Sequence, residues 1–319
     1  MIPLIDVSAS RAKVAREIDA ACTSIGFFAV VGHGVPVELI ERTRDAAVAF
    51  FALPDQEKLK VERPPEKISR GYFKIGDRAI AYSNGRATPP DIQEAFAFGP
   101  ERGGPVGEGM VAAMLAPNRW PDLPGFRETM LEFRGEMSGL RRRVLEAVET
   151  ALGLEDGYFA AKFDRETSVT RMIRYPALTE EPVEGQLRAG AHTDYGAITF
   201  VRGDDTPGGL QVRTLDGAWL DVHPPENAFV CNIGDLMARW TNDRYVSTLH
   251  RVAVPPDVGA SVDRISLVSF QTPNVDAVIS GLVGEKRYPD ITCAEHYLGK
   301  LMKASHARLD AGVTDALAV

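Results

Sequence analysis

Over the first fifty residues, short apolar runs alternate with apolar positions at helical spacing. Ile2 to Asp6 is apolar and β-branched enough for a strand, and Ser8 or Ser10 can cap a helix reaching about Thr23, with Val14, Ile18 and Ala21 on one face. Gly26 ends that helix. The continuous run Phe27-Phe28-Ala29-Val30-Val31, bounded by glycines, suits a strand buried on both faces. From Pro36 to about Leu53, Val37, Ile40, Ala47, Val48 and Phe51 predict an amphipathic helix with Pro at its first turn.

Residues 54 to 122 are rich in Pro and Gly, with apolar islands at Gly71-Tyr72-Phe73 and Glu94-Ala95-Phe96-Ala97-Phe98, and read as loops and short strands. A long helix follows from about Phe126 to Leu152, because Met130, Phe133, Met137, Leu140, Val144, Ala147 and Ala151 recur every three or four residues; Gly153 stops it. From about Ser168 to Pro273 the pattern changes to short strands: Val169 to Tyr175, Ala197 to Val201, Leu210 to Arg213, Trp219 to Val222, Ala228 to Asn232, Thr248 to Val254 and Arg264 to Gln271. Turn residues such as Asp204-Asp205 and Asp216-Gly217 separate them, which predicts a sandwich or jelly roll. A last helix from Cys293 to about Leu309 closes the chain. The whole is α+β in class: an N-terminal α/β region over 1–122 packed on a barrel core over 123–319, in one unit.

Composition narrows the function. The chain has 319 residues, 45% hydrophobic and 25% charged, and 36 Lys and Arg against 44 Asp and Glu give a net charge of −8. With no long basic run, nucleic acid and membrane surfaces are poor partners. No apolar stretch approaches the roughly 20 residues of a bilayer span, and Met1 to Asp6 lacks the basic start of a signal peptide, so a cytoplasmic protein is expected. Cys22, Cys231 and Cys293 are widely spaced and odd in number, which fits reduced, packed thiols better than disulfides or a thiolate zinc site.

His192-Thr193-Asp194 is the only H-x-D among six histidines, and on an extended segment positions i and i+2 point the same way. Alone, the triplet fits a surface loop equally well. His250 sits in the apolar setting Ser247-Thr248-Leu249-His250-Arg251-Val252 and is either a hydrogen-bonded core residue or a third ligand. Two imidazoles and a carboxylate on one face of a metal suit non-haem Fe(II), and zinc accepts the same set. Arg264-Ile265-Ser266 is the only R-x-S. Alternation puts Arg264, Ser266, Val268 and Phe270 on one strand face; the arginine either lies at a rim in water or forks onto a carboxylate such as that of a bound dicarboxylate.

With these elements in place, the sequence resembles the isopenicillin N synthase-like branch of the iron(II) and 2-oxoglutarate dependent oxygenases. Ile2-Pro3-Leu4-Ile5-Asp6 is similar to the family's opening strand, and Gly26 to Val35 is similar to its G-F-F-x-V-x-x-H-G-[VI] signature. Phe50 to Pro54, Asn118-Arg119-Trp120-Pro121 and Asn232-Ile233-Gly234-Asp235 match as well, so the resemblance spans nearly the whole chain. It implies a double-stranded β-helix (jelly-roll) core flanked by helices. It further implies Fe(II) held by His192, Asp194 and His250, dioxygen as oxidant, and 2-oxoglutarate bound through Arg264 and Ser266. Tyr175 falls where the family's N-x-Y-P-P motif has a cosubstrate-contacting tyrosine, although Ile173 and Ala177 depart from that motif. Between His250 and Arg264, Pro255-Pro256-Asp257 reads as a loop insertion. His33 is read as structural, Asp235 as a turn residue, and His223, His296 and His306 as solvent or packing residues.

The implied reaction is oxidation of a small organic molecule, by hydroxylation or desaturation, with release of succinate and carbon dioxide. Residues 71 to 98 are expected at the substrate mouth, where Asp91 to Phe96 resembles a D-x-x-E-x-[FY] stretch. Tyr82, Phe98, Arg174 and Phe270 are the candidate pocket residues, with Arg86, Arg174, Arg202 and Arg213 as possible carboxylate anchors. Two alternatives remain: an isopenicillin N synthase-like oxidase that uses no 2-oxoglutarate, and a non-catalytic jelly-roll protein whose triad holds zinc or nothing.

Overall fold

The computed structural model describes residues 1–64, 69–85, 88–101, 108–203, 209–254, 256 and 262–310. In chain order the N-terminal half contains β1 (Leu4–Asp6), α1 (Arg11–Ser24), β2 (Phe27–Val31), α2 (Val37–Phe51), α3 (Asp55–Leu59), β3 (Gly71–Phe73), a 3-10 turn over Ile80–Asn84, β4 (Glu94–Phe98) and α4 (Gly109–Leu115). There follow α5 (Phe126–Leu152), α6 (Ala160–Phe163), β5 (Val169–Tyr175), β6 (Ala189–His192), β7 (Ile198–Arg202), β8 (Leu210–Arg213) and β9 (Trp219–Asp221). The chain continues through β10 (Phe229–Ile233), α7 (Asp235–Trp240), β11 (His250–Val252), β12 (Arg264–Gln271), β13 (Val278–Ile279), β14 (Ile291–Thr292) and α8 (Cys293–Asp310).

Eight of these strands form two four-stranded sets, the order β10-β7-β12-β5 within a larger sheet and the separate sheet β6-β11-β8-β9. That is the double-stranded β-helix. The N-terminal half extends the larger sheet at both ends, with β1-β2 beyond β10 and β4-β3 beyond β5. β2 joins β10 antiparallel, Phe28 opposite Cys231, which accounts for its unbroken apolar run: both faces are covered.

Period-two alternation divides the residues of the larger sheet between its two faces. On one face, Ile265, Leu267, Met172, Phe200 and Cys231 pack with Met130, Phe133, Met137, Leu140 and Val144 of α5 in the main cluster. Burying each such side chain contributes roughly 1.5 to 3 kcal/mol. On the other face, Ile173, Tyr175, Val268 and Ala189 form a smaller cluster in the barrel interior with Phe73, Ala95 and Ala97. Glu166 fastens the helix to the sheet. It accepts hydrogen bonds from Arg134 at 2.8 Å and Arg141 at 2.7 Å, and Arg141 also donates to Ser269 at 2.8 Å.

The same alternation corrects two expectations. On β4, Ala95 and Ala97 face the barrel, so Phe96 and Phe98 must face away; Phe98 packs 5.3 Å from Trp120 and 6.4 Å from Phe96. It is a core residue, not a mouth residue. Arg174, between the inward Ile173 and Tyr175, is directed outward and is bound to Glu94 at 2.6 Å and Asp263 at 2.7 Å. Its charge is therefore paired on the side away from the barrel interior.

Candidate active site

β6 and β11 are antiparallel neighbours, and their register places His192 directly opposite His250. The rings lie 4.3 Å apart at 53°. Each is aimed by its own backbone: Nδ1 of His192 donates to the Gly190 carbonyl at 2.8 Å, and Nδ1 of His250 donates to the Thr248 carbonyl at 3.1 Å. Both Nε2 atoms are thereby left as lone-pair donors, each 3.8 Å from an Asp194 oxygen. The three residues are buried, with one ligand atom from each within 4.8 Å of the others.

Asp194 is held from behind. Its Oδ2 accepts from Thr199 at 2.6 Å and from Asn232 at 2.7 Å. Burial alone would raise its carboxyl pKa, but the facing imidazoles and these two hydrogen bonds outweigh it and lower the pKa below the usual range. His192 is pushed down to about 3 by burial and by the neighbouring His250, so at neutral pH it is uncharged. A neutral imidazole and an ionised carboxylate are the forms that ligate a metal.

The segment read as a plain turn also shapes this site. Beyond Asn232, Asp235 donates its backbone N–H to the Asp194 carbonyl at 2.7 Å, and its carboxylate accepts from Thr193 Oγ1 at 3.0 Å. Gly234 is required because a Cβ there would meet the Gly196 carbonyl oxygen at 2.3 Å. The matched string Asn232 to Asp235 was the available signal. Asp91 acts on the other ligand. It accepts from the Gly190 N–H at 2.9 Å and the Ile80 N–H at 3.0 Å.

Further into the barrel, Arg264 stands across from Tyr175 on the paired strands β12 and β5, its guanidinium 5.3 Å from the ring centre. Ser266, on the same face, is 1% exposed and its hydroxyl has no hydrogen-bond partner among the described residues. A cavity of about 190 Å³ opens at His192 and Asp194 and is walled by Ile80, Val169, Arg171, Phe270, Thr272 and Tyr297, among others. Phe270 is thus on the wall, whereas Tyr82 is buried on the 3-10 turn and is not among the lining residues, whose contribution from that turn is Ile80. Arg202 and Arg213 do not line it either, and Arg86 and Asp204-Asp205 lie outside the described residues, as do Pro255 and Asp257. Arg171 went unnoticed in the sequence, although it stands four positions before Tyr175 and therefore on the same inward face.

His33 is structural, as expected: its Nε2 donates to the Asn227 carbonyl at 2.7 Å and its Nδ1 accepts from the Val35 N–H at 3.1 Å. His296 donates to the Tyr195 carbonyl at 3.0 Å, and the three cysteines are buried and unpaired.

Residues 2–123 match the family model described as non-haem dioxygenase in morphine synthesis N-terminal, and residues 166–273 match the model of the 2OG-Fe(II) oxygenase superfamily. The chain belongs to that superfamily. Homoarginine-6-hydroxylase 2-ODD-C23.1 of Arabidopsis thaliana is 36% identical over 284 residues, 87% of this chain and 82% of that protein. Validamycin A dioxygenase of Streptomyces hygroscopicus subsp. limoneus is 33% identical over 316 residues, 94% of this chain and 85% of its own. A full-length Neurospora crassa protein crystallised in complex with alpha-KG superposes with a TM-score of 0.83 at 32% identity, covering 94% of this chain and 96% of that one. This oxygenase is accordingly a non-haem Fe(II)- and 2-oxoglutarate-dependent enzyme acting on a small organic substrate, and no described helix is long and apolar enough to cross a membrane.

Proposed function

We propose that His192, Asp194 and His250 hold Fe(II), that Arg264 and Ser266 bind the distal carboxylate of 2-oxoglutarate beside Tyr175, and that the cavity under Phe270 receives a substrate that is hydroxylated or desaturated. The observation that carries the cosubstrate assignment is the buried Ser266 hydroxyl with no partner among the described residues, two positions from Arg264 on one strand face. A buried hydroxyl left unpaired costs about 1 to 3 kcal/mol, and an incoming carboxylate oxygen would satisfy it. The donor set of two imidazole nitrogens and a carboxylate likewise fits Fe(II).

Iron, when bound, would supply activation of dioxygen, the four-electron oxidant: two electrons come from oxidative decarboxylation of 2-oxoglutarate to succinate and carbon dioxide, and two from the substrate. The chain's own residues set the geometry. Gly190 and Thr248 carbonyls fix both imidazole tautomers. Thr199 and Asn232 occupy Asp194 Oδ2 and leave Oδ1 to the metal. Arg264 fixes one end of the cosubstrate, and the apolar interior of Ile173, Val252 and Val268 excludes water around it.

Assignment to the isopenicillin N synthase-like branch is supported by the N-terminal motifs that complete the larger sheet through β1 and β2. A small-molecule substrate without a nucleic-acid partner fits the net charge of −8, and a cytoplasmic setting fits three reduced, buried thiols. The test is succinate formation by the Fe(II)-loaded protein on a compound panel. Substrate-stimulated succinate in step with product supports the assignment; substrate oxidation that proceeds without 2-oxoglutarate would transfer Arg264 and Ser266 to a substrate carboxylate and sink it.

A further inference from the structure

Arg171 is a buried cation in the wall of the cavity at His192 and Asp194. Its guanidinium lies over two rings, 5.1 Å from the Phe73 centre and 5.4 Å from the Phe270 centre, and among the described residues it donates to the Ser69 hydroxyl at 3.3 Å. Its Nε has no partner among the described residues. Arg63 and Arg78 stand over the same Phe73 ring, at 5.1 and 5.7 Å, and Arg78 also lines the cavity. Burial first, then the charges of Arg78 and Arg63, pull the Arg171 pKa well below its usual value. Among the described residues the carboxylate acting on it is Asp194, which is already committed to the triad.

A buried guanidinium among like charges and aromatic rings is costly to keep unless an anion arrives. Both rings lie against it, and the planar fork of a guanidinium pairs with a carboxylate through two parallel hydrogen bonds. Its location separates it from the cosubstrate end. On β5 and β12 the cross-strand pair Tyr175–Arg264 and the pair Arg171–Val268 lie on the same inward face four residues apart, ~13 Å along the strands. The barrel therefore carries a cation at each end of one face.

We propose that the substrate is an organic acid whose carboxylate is held by Arg171, with Arg78 beside it, and whose apolar stem lies along Ile80, Val169 and Phe270 towards His192 and Asp194. This rests on the reading that the cavity takes the substrate while Arg264 takes 2-oxoglutarate.

The test loads the protein with Fe(II) and 2-oxoglutarate under anaerobic conditions and follows its melting temperature on addition of aliphatic and aromatic carboxylic acids and α-amino acids, each paired with its primary amide. At least one acid should raise the melting temperature by several degrees while its amide does not, since ligands that bind only the native state stabilise it. Arg171→Gln should abolish the shift, with 2-oxoglutarate titration of the same variant reporting that it is folded. If that variant does not fold, Arg171→Lys should weaken the acid by roughly tenfold or more, because a point charge replaces the planar fork. Amides that stabilise as well as their acids, a panel in which no acid acts, or an Arg171 variant with undiminished acid affinity would each overturn the proposal. Failure of the wild-type protein to bind 2-oxoglutarate, read before any acid is added, would instead overturn the functional reading and this one with it.

Discussion

Asp91 reaches His192 through a single residue: its carboxylate accepts the Gly190 N–H at 2.9 Å, and the Gly190 carbonyl accepts the His192 Nδ1 proton at 2.8 Å. The carboxylate is buried and also takes the Ile80 N–H, so it ties the 3-10 turn to β6. It shapes the candidate metal site from behind His192.

Replacing Asp91 by Ala should therefore loosen the His192 ring and weaken Fe(II) binding by roughly ten- to a hundredfold, the range seen when partners of metal-ligating histidines are removed. Anaerobic metal titration of the folded variant measures this. Wild-type metal affinity in Asp91→Ala would show that pairing with His250 alone suffices to hold β6.

Arg264→Lys should raise the Michaelis constant for 2-oxoglutarate about tenfold or more, since one charge-assisted hydrogen bond is worth roughly 1.5 to 3 kcal/mol. Iron stoichiometry should stay at the wild-type value. An unchanged Michaelis constant for 2-oxoglutarate would argue that the arginine serves another anion.

Phe98→Ala should cost about 3 to 5 kcal/mol of stability, the usual range for emptying a buried aromatic site. Turnover and uncoupled decarboxylation should then fall together at temperatures near the lowered melting point and agree with wild type well below it. A selective loss of substrate-stimulated turnover in a protein of normal stability would return Phe98 to the substrate.

Glu166 provides a pH prediction. Burial would raise its carboxyl pKa, but Arg141 and Arg134 outweigh that and hold it below the usual range, so its stabilising contribution is complete above the unfolded pKa of roughly 4.3 and fades as pH falls through the lower folded value. Glu166→Gln should destabilise the protein by about 3 kcal/mol or more at pH 7, because it leaves two buried arginines without their carboxylate. Denaturant titrations should show the gap from wild type constant down to about pH 5 and narrowing below it. A gap that widens on acidification would mean that the arginines have another partner.

Long periodic elements could be read from the sequence to the residue. The helix from Phe126 to Leu152 and the strands Val169–Tyr175 and Arg264–Gln271 have the bounds that their patterns predict, because each covers several repeats of its period. The short helices over 55–59, 109–115 and 235–240 carry too few turns to show one. Ala189–His192 lacks the β-branched residues that announce a strand and is held by its pairing with His250–Val252. The convergence of His192, Asp194 and His250 was legible because two of the three share one triplet. Phe98 and Arg174 were misjudged for one reason: aromatic and cationic character was weighed before alternation, which already directed both away from the barrel interior.

The direct pairing of His192 with His250 also bears on how the molecule comes together. The smaller sheet consists of strands only three or four residues long, and its first two members are far apart in sequence. Its closure must pay the loop entropy of everything between them, with few ladder bonds in return. A divalent ion bridging those two histidines and Asp194 would act as a clasp on that seam, adding RT ln(1 + [metal]/Kd) to the stability of the closed form. Iron supply would then determine how much barrel is assembled, as well as how much is active.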